Sequence, residues 1–121
     1  MRPVTLSGFF KRGSTWRIRL TRKDATGAPI DMTGLALATR AMFRGDSVDG
    51  SVVAILSHGD GITIADPTSG VMLLSLTAAQ SASFTAGSRV YFDIEQRDPV
   101  SGYVWQSPTY RFSVDQEVTR D

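Results

Sequence analysis

The chain has 121 residues, 41% of them hydrophobic and 21% charged, with a formal net charge of +1 and no cysteine. This length fits one folded domain that buries roughly two-thirds of its unfolded surface. Near-neutral charge gives no whole-protein field of the kind that draws proteins to nucleic acid or anionic membrane, and the missing cysteine excludes disulfides, thiolate metal sites and a cysteine nucleophile.

The opening "MRPVTLSGFFKRGS" lacks the long apolar centre and small-residue cleavage site of a secretory signal. No run of 18 or more apolar residues follows, so the expectation is a soluble protein made in a cytoplasm. Residues 1–12 read as a docking arm whose removal spares the fold. Phe9 and Phe10 are adjacent, so on a strand they point to opposite sides.

Period-two alternation, the mark of half-buried strands, then dominates. In "STWRIRLTR" Trp16, Ile18 and Leu20 share one face while Arg17, Arg19 and Thr21 share the other. The next stretch, "DATGAPIDMTG", crowds two aspartates, two glycines and a proline between apolar runs. Asp24 and Gly27 suit a turn, Pro29 keeps the chain extended, and Ile30 and Met32 alternate with an outward Asp31. With no histidine, cysteine or third acid spaced to join them, the two carboxylates read as corner formers rather than a catalytic pair.

In "LALATRAMFR" Leu35, Leu37, Thr39, Ala41 and Phe43 share a face. "SVVAILS" is a short apolar strand after the turn-rich "RGDSVDG". "GITIA" and "GVMLLSL" flank "DPTSG" as a hairpin in which Pro67 presets the turn and Gly70 accepts a positive φ. Thr77 with Gln80 forms a capping-box pattern, so one or two helical turns are expected near 77–83 before Phe84 returns to the core. "SRVYFDIEQR" sends Val90, Phe92 and Ile94 inward and Tyr91, Asp93, Glu95 and Arg97 outward. A turn at "DPVSG" leads into "YVWQS", "TYRFSV" places Tyr110, Phe112 and Val114 on one face, and 116–121 is a short tail. About seven to nine short strands with one helical turn argue for a single antiparallel, immunoglobulin-like β-sandwich spanning 1–121.

Chemistry is sparse in this pattern. The only histidine, His58, lies in the turn "SHGDG" with no nucleophile motif beside it. Asp46, Asp49, Asp60 and Asp66 are loop oxygens, but the spacing of a calcium loop is missing and turn capping accounts for them. Asp93 and Glu95 share a strand face with Arg97, which makes a solvated, charge-mixed surface rather than a glycosidase pair. The expectation is therefore no catalysis, no cofactor and no metal.

Binding features are richer. Residues 1–60 hold nine Lys/Arg against five Asp/Glu, and residues 61–121 hold four against seven, a split that suits packing of copies head to tail. Lys11, Arg12, Arg17, Arg19, Arg22 and Lys23 form a basic N-terminal region with Phe9, Phe10 and Trp16 interleaved. The alternation turns Trp16 away from the arginines, so an acidic protein partner is favoured over nucleic acid. Tyr103 and Trp105 share the parity of a late strand, as interface anchors or as stacking platforms for sugar.

The ordered set "GSTWRIRLTRKDATGAPIDMTG", "GITIADPTSGVMLLSLTAAQSASFTAG", "YFDIEQRDPVSGYVW" and the closing "VDQEVTR" resembles small structural proteins of tailed bacteriophages, in particular the N-terminal domain of baseplate upper proteins, over about Gly13 to Arg120. The resemblance implies an immunoglobulin-like sandwich without catalysis or cofactor. It further implies a homo-oligomeric place in a virion tail and contacts with tail or receptor-binding proteins, while the near-balanced charge sets the expectation of no nucleic-acid or membrane partner. Baseplate upper proteins carry a long helical continuation not seen in this sequence, so the expectation is a stand-alone adaptor. Two other readings stand beside it: a carbohydrate-binding module using Tyr103 and Trp105, and a head–tail joining or tail-terminator protein.

Overall fold

The computed structural model describes residues 4–6, 10–33, 39–45, 50–85 and 87–115. Nine strands run through them: β1 (Val4–Thr5), β2 (Trp16–Thr21), β3 (Thr39–Gly45), β4 (Val52–His58), β5 (Gly61–Asp66), β6 (Val71–Leu76), β7 (Arg89–Arg97), β8 (Val104–Gln106) and β9 (Tyr110–Ser113). A 3-10 turn, Pro67–Ser69, joins β5 to β6, and the four-residue helix α1, Ala78–Ser81, follows β6.

Alternation decides which side chains enter the core. In β2 Trp16 and Ile18 are buried while Arg17 and Arg19 are exposed, and in β7 Val90, Phe92, Ile94 and Gln96 are buried between outward neighbours. Thr39, Ala41 and Phe43 of β3 are buried as their parity requires; Leu35 and Leu37 lie outside the described residues. Aromatic rings link the strands across this core. Phe10 stacks on Phe112 at 4.0 Å, Trp16 meets Phe112 edge-on at 5.3 Å, and Phe92 stacks on Phe43 at 4.5 Å. Such pairs add about 0.5–1.5 kcal/mol each beyond the area they bury.

Hydrogen bonding orders the strands β1-β9-β7-β3-β4-β5-β6-β2, with β8 pairing β7 beside this path. The sheet curls so that Trp16 of β2, at one end, packs on Phe112 of β9, near the other. The expected antiparallel plan holds for β2–β6, β3–β4, β3–β7, β5–β6, β7–β8 and β7–β9. It fails at two places, and the sheet is mixed. β1 runs parallel to β9, and β4 is parallel to β5 only at Ser57–Gly61 and His58–Ile62. True parallel neighbours need a long crossover. β1 and β9 have almost the whole chain between them, whereas β4 and β5 touch for two residues at a tight corner and then diverge.

Local chemistry fixes the corners. The Thr77 hydroxyl accepts from the Gln80 N–H at 3.1 Å while the Gln80 side-chain Oε1 accepts from the Thr77 N–H at 2.9 Å, a reciprocal capping box that starts α1. α1 delivers Phe84 to the core, stacked 5.4 Å from Trp16. At the β5–β6 hairpin the Asp66 carboxylate accepts from the Ser69 N–H, and Gly70 takes φ +70°. Glycine is required there twice over, because a Cβ would stand 2.6 Å from the Arg22 carbonyl oxygen and 2.8 Å from that of Ile30.

The N-terminal segment, where it is described, is tied to the body of the fold. Val4 and Leu6 donate to the carbonyls of Thr109 and Arg111 at 2.7 and 2.8 Å, the Arg12 N–H donates to the Asp115 carbonyl at 2.9 Å, and the Asp115 N–H donates to the Phe10 carbonyl at 2.9 Å. Phe10, expected at a partner surface, is only 8% exposed and packs in the core. Its neighbour Phe9 and the tail 116–121 lie outside the described residues.

Candidate interaction site

The segment 24–33 is built as two local caps. Asp24 accepts from the Thr26 hydroxyl at 2.6 Å and from the N–H groups of Thr26 and Ala28 at 2.9 and 3.1 Å. Asp31 accepts from the hydroxyl and N–H of Thr33 at 2.6 and 2.9 Å. These bonds favour the charged form, so both carboxyls sit below the usual aspartate range. Asp66 and Asp98 are held down the same way, by Thr68 with Ser69 and by Val100 with Ser101. Four acids are thus used within their own turns. Among the described residues no three His, Cys, Asp or Glu side chains gather as a metal site, and His58 is an exposed residue at the end of β4.

The sheet faces carry the opposite sign. Arg17 and Arg19 stand outward on β2, Arg40 and Arg44 on β3, Arg89 and Arg97 on β7, and Arg111 on β9. The outward carboxylates within the described strands, apart from the turn-capping Asp66, are Asp93 and Glu95. Glu95 lies opposite Arg40 and 3.9 Å from Arg97, so the Asp93–Glu95 pair belongs to a charge-mixed surface. Across β3, β7 and β9 the register places Arg44, Tyr91 and Arg111 in one row. An open cleft of about 310 Å³ lies on this face between Arg40, Arg44, Tyr91, Asp93 and Glu95.

The residues expected to bind partners do not converge. Lys11 and Arg12 sit at the start of β2, where Lys11 presents its carbonyl to the Trp16 indole N–H at 2.7 Å and the Arg12 Nε–H donates to the Phe84 carbonyl at 2.9 Å. Arg17 and Arg19 lie along the exposed face of β2. Tyr103, 66% exposed, and half-buried Trp105 lie beyond the other end of β2.

That far end holds the most organised polar cluster in the fold. Arg22 follows β2 and lays its guanidinium over the Trp105 ring, 4.2 Å from the centroid. Its Nη1 donates to the Gln96 side-chain oxygen at 2.9 Å, and the Gln96 amide donates in turn to the Thr39 hydroxyl at 3.0 Å. Gln96 is 1% exposed, a buried amide satisfied by this chain of bonds. Beside it opens a cleft of about 190 Å³, walled by Arg22, Lys23, Ile94, Trp105, Pro108 and Tyr110. Burial pushes the Arg22 pKa down, partly offset by Tyr103, and also pushes the Tyr110 phenol up.

Arg22 and Gln96 are the residues that single-sequence reading passes over. Arg22 counts there only as one basic residue among several. The signal for Gln96 is its parity: it shares the inward face of β7 with Val90, Phe92 and Ile94, where a polar side chain needs a partner. No protein-family model matches the chain, and no curated protein matches it significantly.

Proposed function

We propose that this protein is a non-catalytic structural component of a phage tail or baseplate, an immunoglobulin-like sandwich that holds neighbouring tail or receptor-binding proteins in a symmetric, homo-oligomeric assembly. The resemblance of the ordered segments from Gly13 to Arg120 motivates the virion setting. The observation that carries a binding role is the division of charge. Asp24, Asp31, Asp66 and Asp98 cap their own turns, while seven arginines stand on outward strand positions. Rigid strands then offer cations to acidic neighbours, with carboxylates placed where they shape loops. Edge strands add a second means of contact. Among the described residues β2 pairs only with β6 and β8 only with β7, and such edges accept a further strand unless covered.

The test is the composition of purified, salt-washed particles by quantitative mass spectrometry. Presence at a fixed stoichiometry to the major tail proteins is expected, and absence from the particles overturns the reading. A carbohydrate-binding role has one observation of its own, the exposed ring of Tyr103 beside Trp105. It requires glycan binding that Trp105→Ala abolishes in a still-folded protein.

A further inference from the structure

Arg22 is cationic, half-buried and short of a counter-charge. Its Nη1 is bonded to a neutral amide, its flat face rests on an indole, and its Nε–H is shut off from water with no hydrogen-bond partner. A shielded guanidinium donor left unpaired costs free energy that native structures normally avoid. The cleft beside it adds a second cation, Lys23, and no carboxylate lines it among the described residues. The nearest acid in sequence, Asp24, is engaged by Thr26 and Ala28. Apart from Thr21, the remaining walls are apolar or aromatic, with Ile94, Trp105, Pro108 and Tyr110 among them. A guanidinium held in place by Gln96 and Trp105, with an ammonium beside it and mostly apolar walls, favours a carboxylate over a neutral group.

We infer that the cleft between Arg22 and Trp105 is a carboxylate-binding subsite that takes a glutamate or aspartate side chain from a neighbouring protein subunit. The inference rests on the adaptor reading for the source of the carboxylate, though not for the chemistry of the site. An extended segment is the geometry that delivers it. The cleft lies between the end of β2 and β8, and each of these strands has one edge unpaired among the described residues. A strand laid along either edge bonds by its backbone and turns alternate side chains inward. The volume of about 190 Å³ admits one acidic side chain.

The chain's two tryptophans make the experiment self-controlled. The Trp105 indole borders the cleft, whereas the Trp16 indole is bonded to Lys11 at the opposite end of β2. The probe is glutamate blocked at both backbone ends, titrated into the full chain and followed by the two indole N–H resonances. Blocked glutamine, phosphate and glucuronate serve as comparisons. The expected result is a saturable shift of the Trp105 signal alone, at least about tenfold tighter for glutamate than for its neutral isostere. Arg22→Gln should weaken it by a similar factor, and Arg22→Lys, which keeps charge without the fork, should fall between.

Equal response to glutamate and glutamine overturns the proposal, even if Arg22→Gln fails to fold. Tighter binding of phosphate or glucuronate overturns the assignment to a protein carboxylate. If the chain is absent from particles yet binds blocked glutamate, the virion reading fails and the site stands. If it is present in particles without any glutamate preference, the site fails alone.

Discussion

Arg22 and Trp105 meet across the open side of the curled sheet, guanidinium on indole at 4.2 Å, 83 residues apart in sequence. The contact ties the end of β2 to β8, and through Gln96 it reaches β7 and Thr39 on β3. A double-mutant cycle of Arg22→Met and Trp105→Leu, read by urea denaturation, should give a coupling of about 1 kcal/mol. Additive effects mean that the stacked pair contributes nothing of its own.

The N-terminal edge allows a graded test. Deleting residues 1–6 removes β1, its bonds to Thr109 and Arg111 and the partly buried Leu6, a loss of about 1–3 kcal/mol. Deleting residues 1–12 also removes Phe10 from between Trp16 and Phe112, which should cost about 3 kcal/mol or more and lower Tm by roughly 10 °C. Equal melting of the two truncations contradicts the placement of Phe10 in the core.

Gly70 and Gly102 both adopt positive φ, yet their surroundings differ. Nothing lies within 4 Å of a Cβ added to Gly102, while one added to Gly70 meets two backbone carbonyls. Gly102→Ala should cost about 1 kcal/mol, the conformational penalty alone. Gly70→Ala should cost about 3 kcal/mol or more, because the Arg22 and Ile30 backbone has to move. Similar denaturation midpoints for the two variants would show that this corner is looser than described.

Asp24, Asp31, Asp66 and Asp98 share a pH signature. Each has its folded pKa depressed by hydrogen bonds to its own turn. The unfolded chain therefore binds more protons in the acid range, so stability rises with pH there. The contribution is complete above the unfolded value of about 3.9 and is lost as pH falls through the folded values. Urea midpoints measured from pH 6 to pH 2.5 should fall with acid, and Asp24→Asn should flatten part of that slope. An unchanged slope in Asp24→Asn means that the cap seen here does not influence folding.

Strand patterning was the part of the fold most legible in the residues, because burial of one face imposes a period of two. Trp16 and Ile18, the β7 set and the Pro67–Gly70 hairpin are all where that period and turn chemistry put them. Thr77 with Gln80 was equally readable, since both partners of the capping box lie three residues apart. What stayed hidden depends on contacts distant in the chain. Nothing near Val4 announces a parallel partner at Tyr110, and nothing near Phe10 announces the stack on Phe112. The aspartates of 24–31 were readable as corners for a local reason, whereas the site at Arg22 needed β3, β7 and β8 to converge before it existed.

A place in the tail is tested by locating the chain on the particle, by electron microscopy of virions carrying a labelled copy. The account predicts label at the tail or its baseplate, in a symmetric set. Label at the head–tail junction would favour a joining protein instead, and particles without label would contradict a virion role altogether.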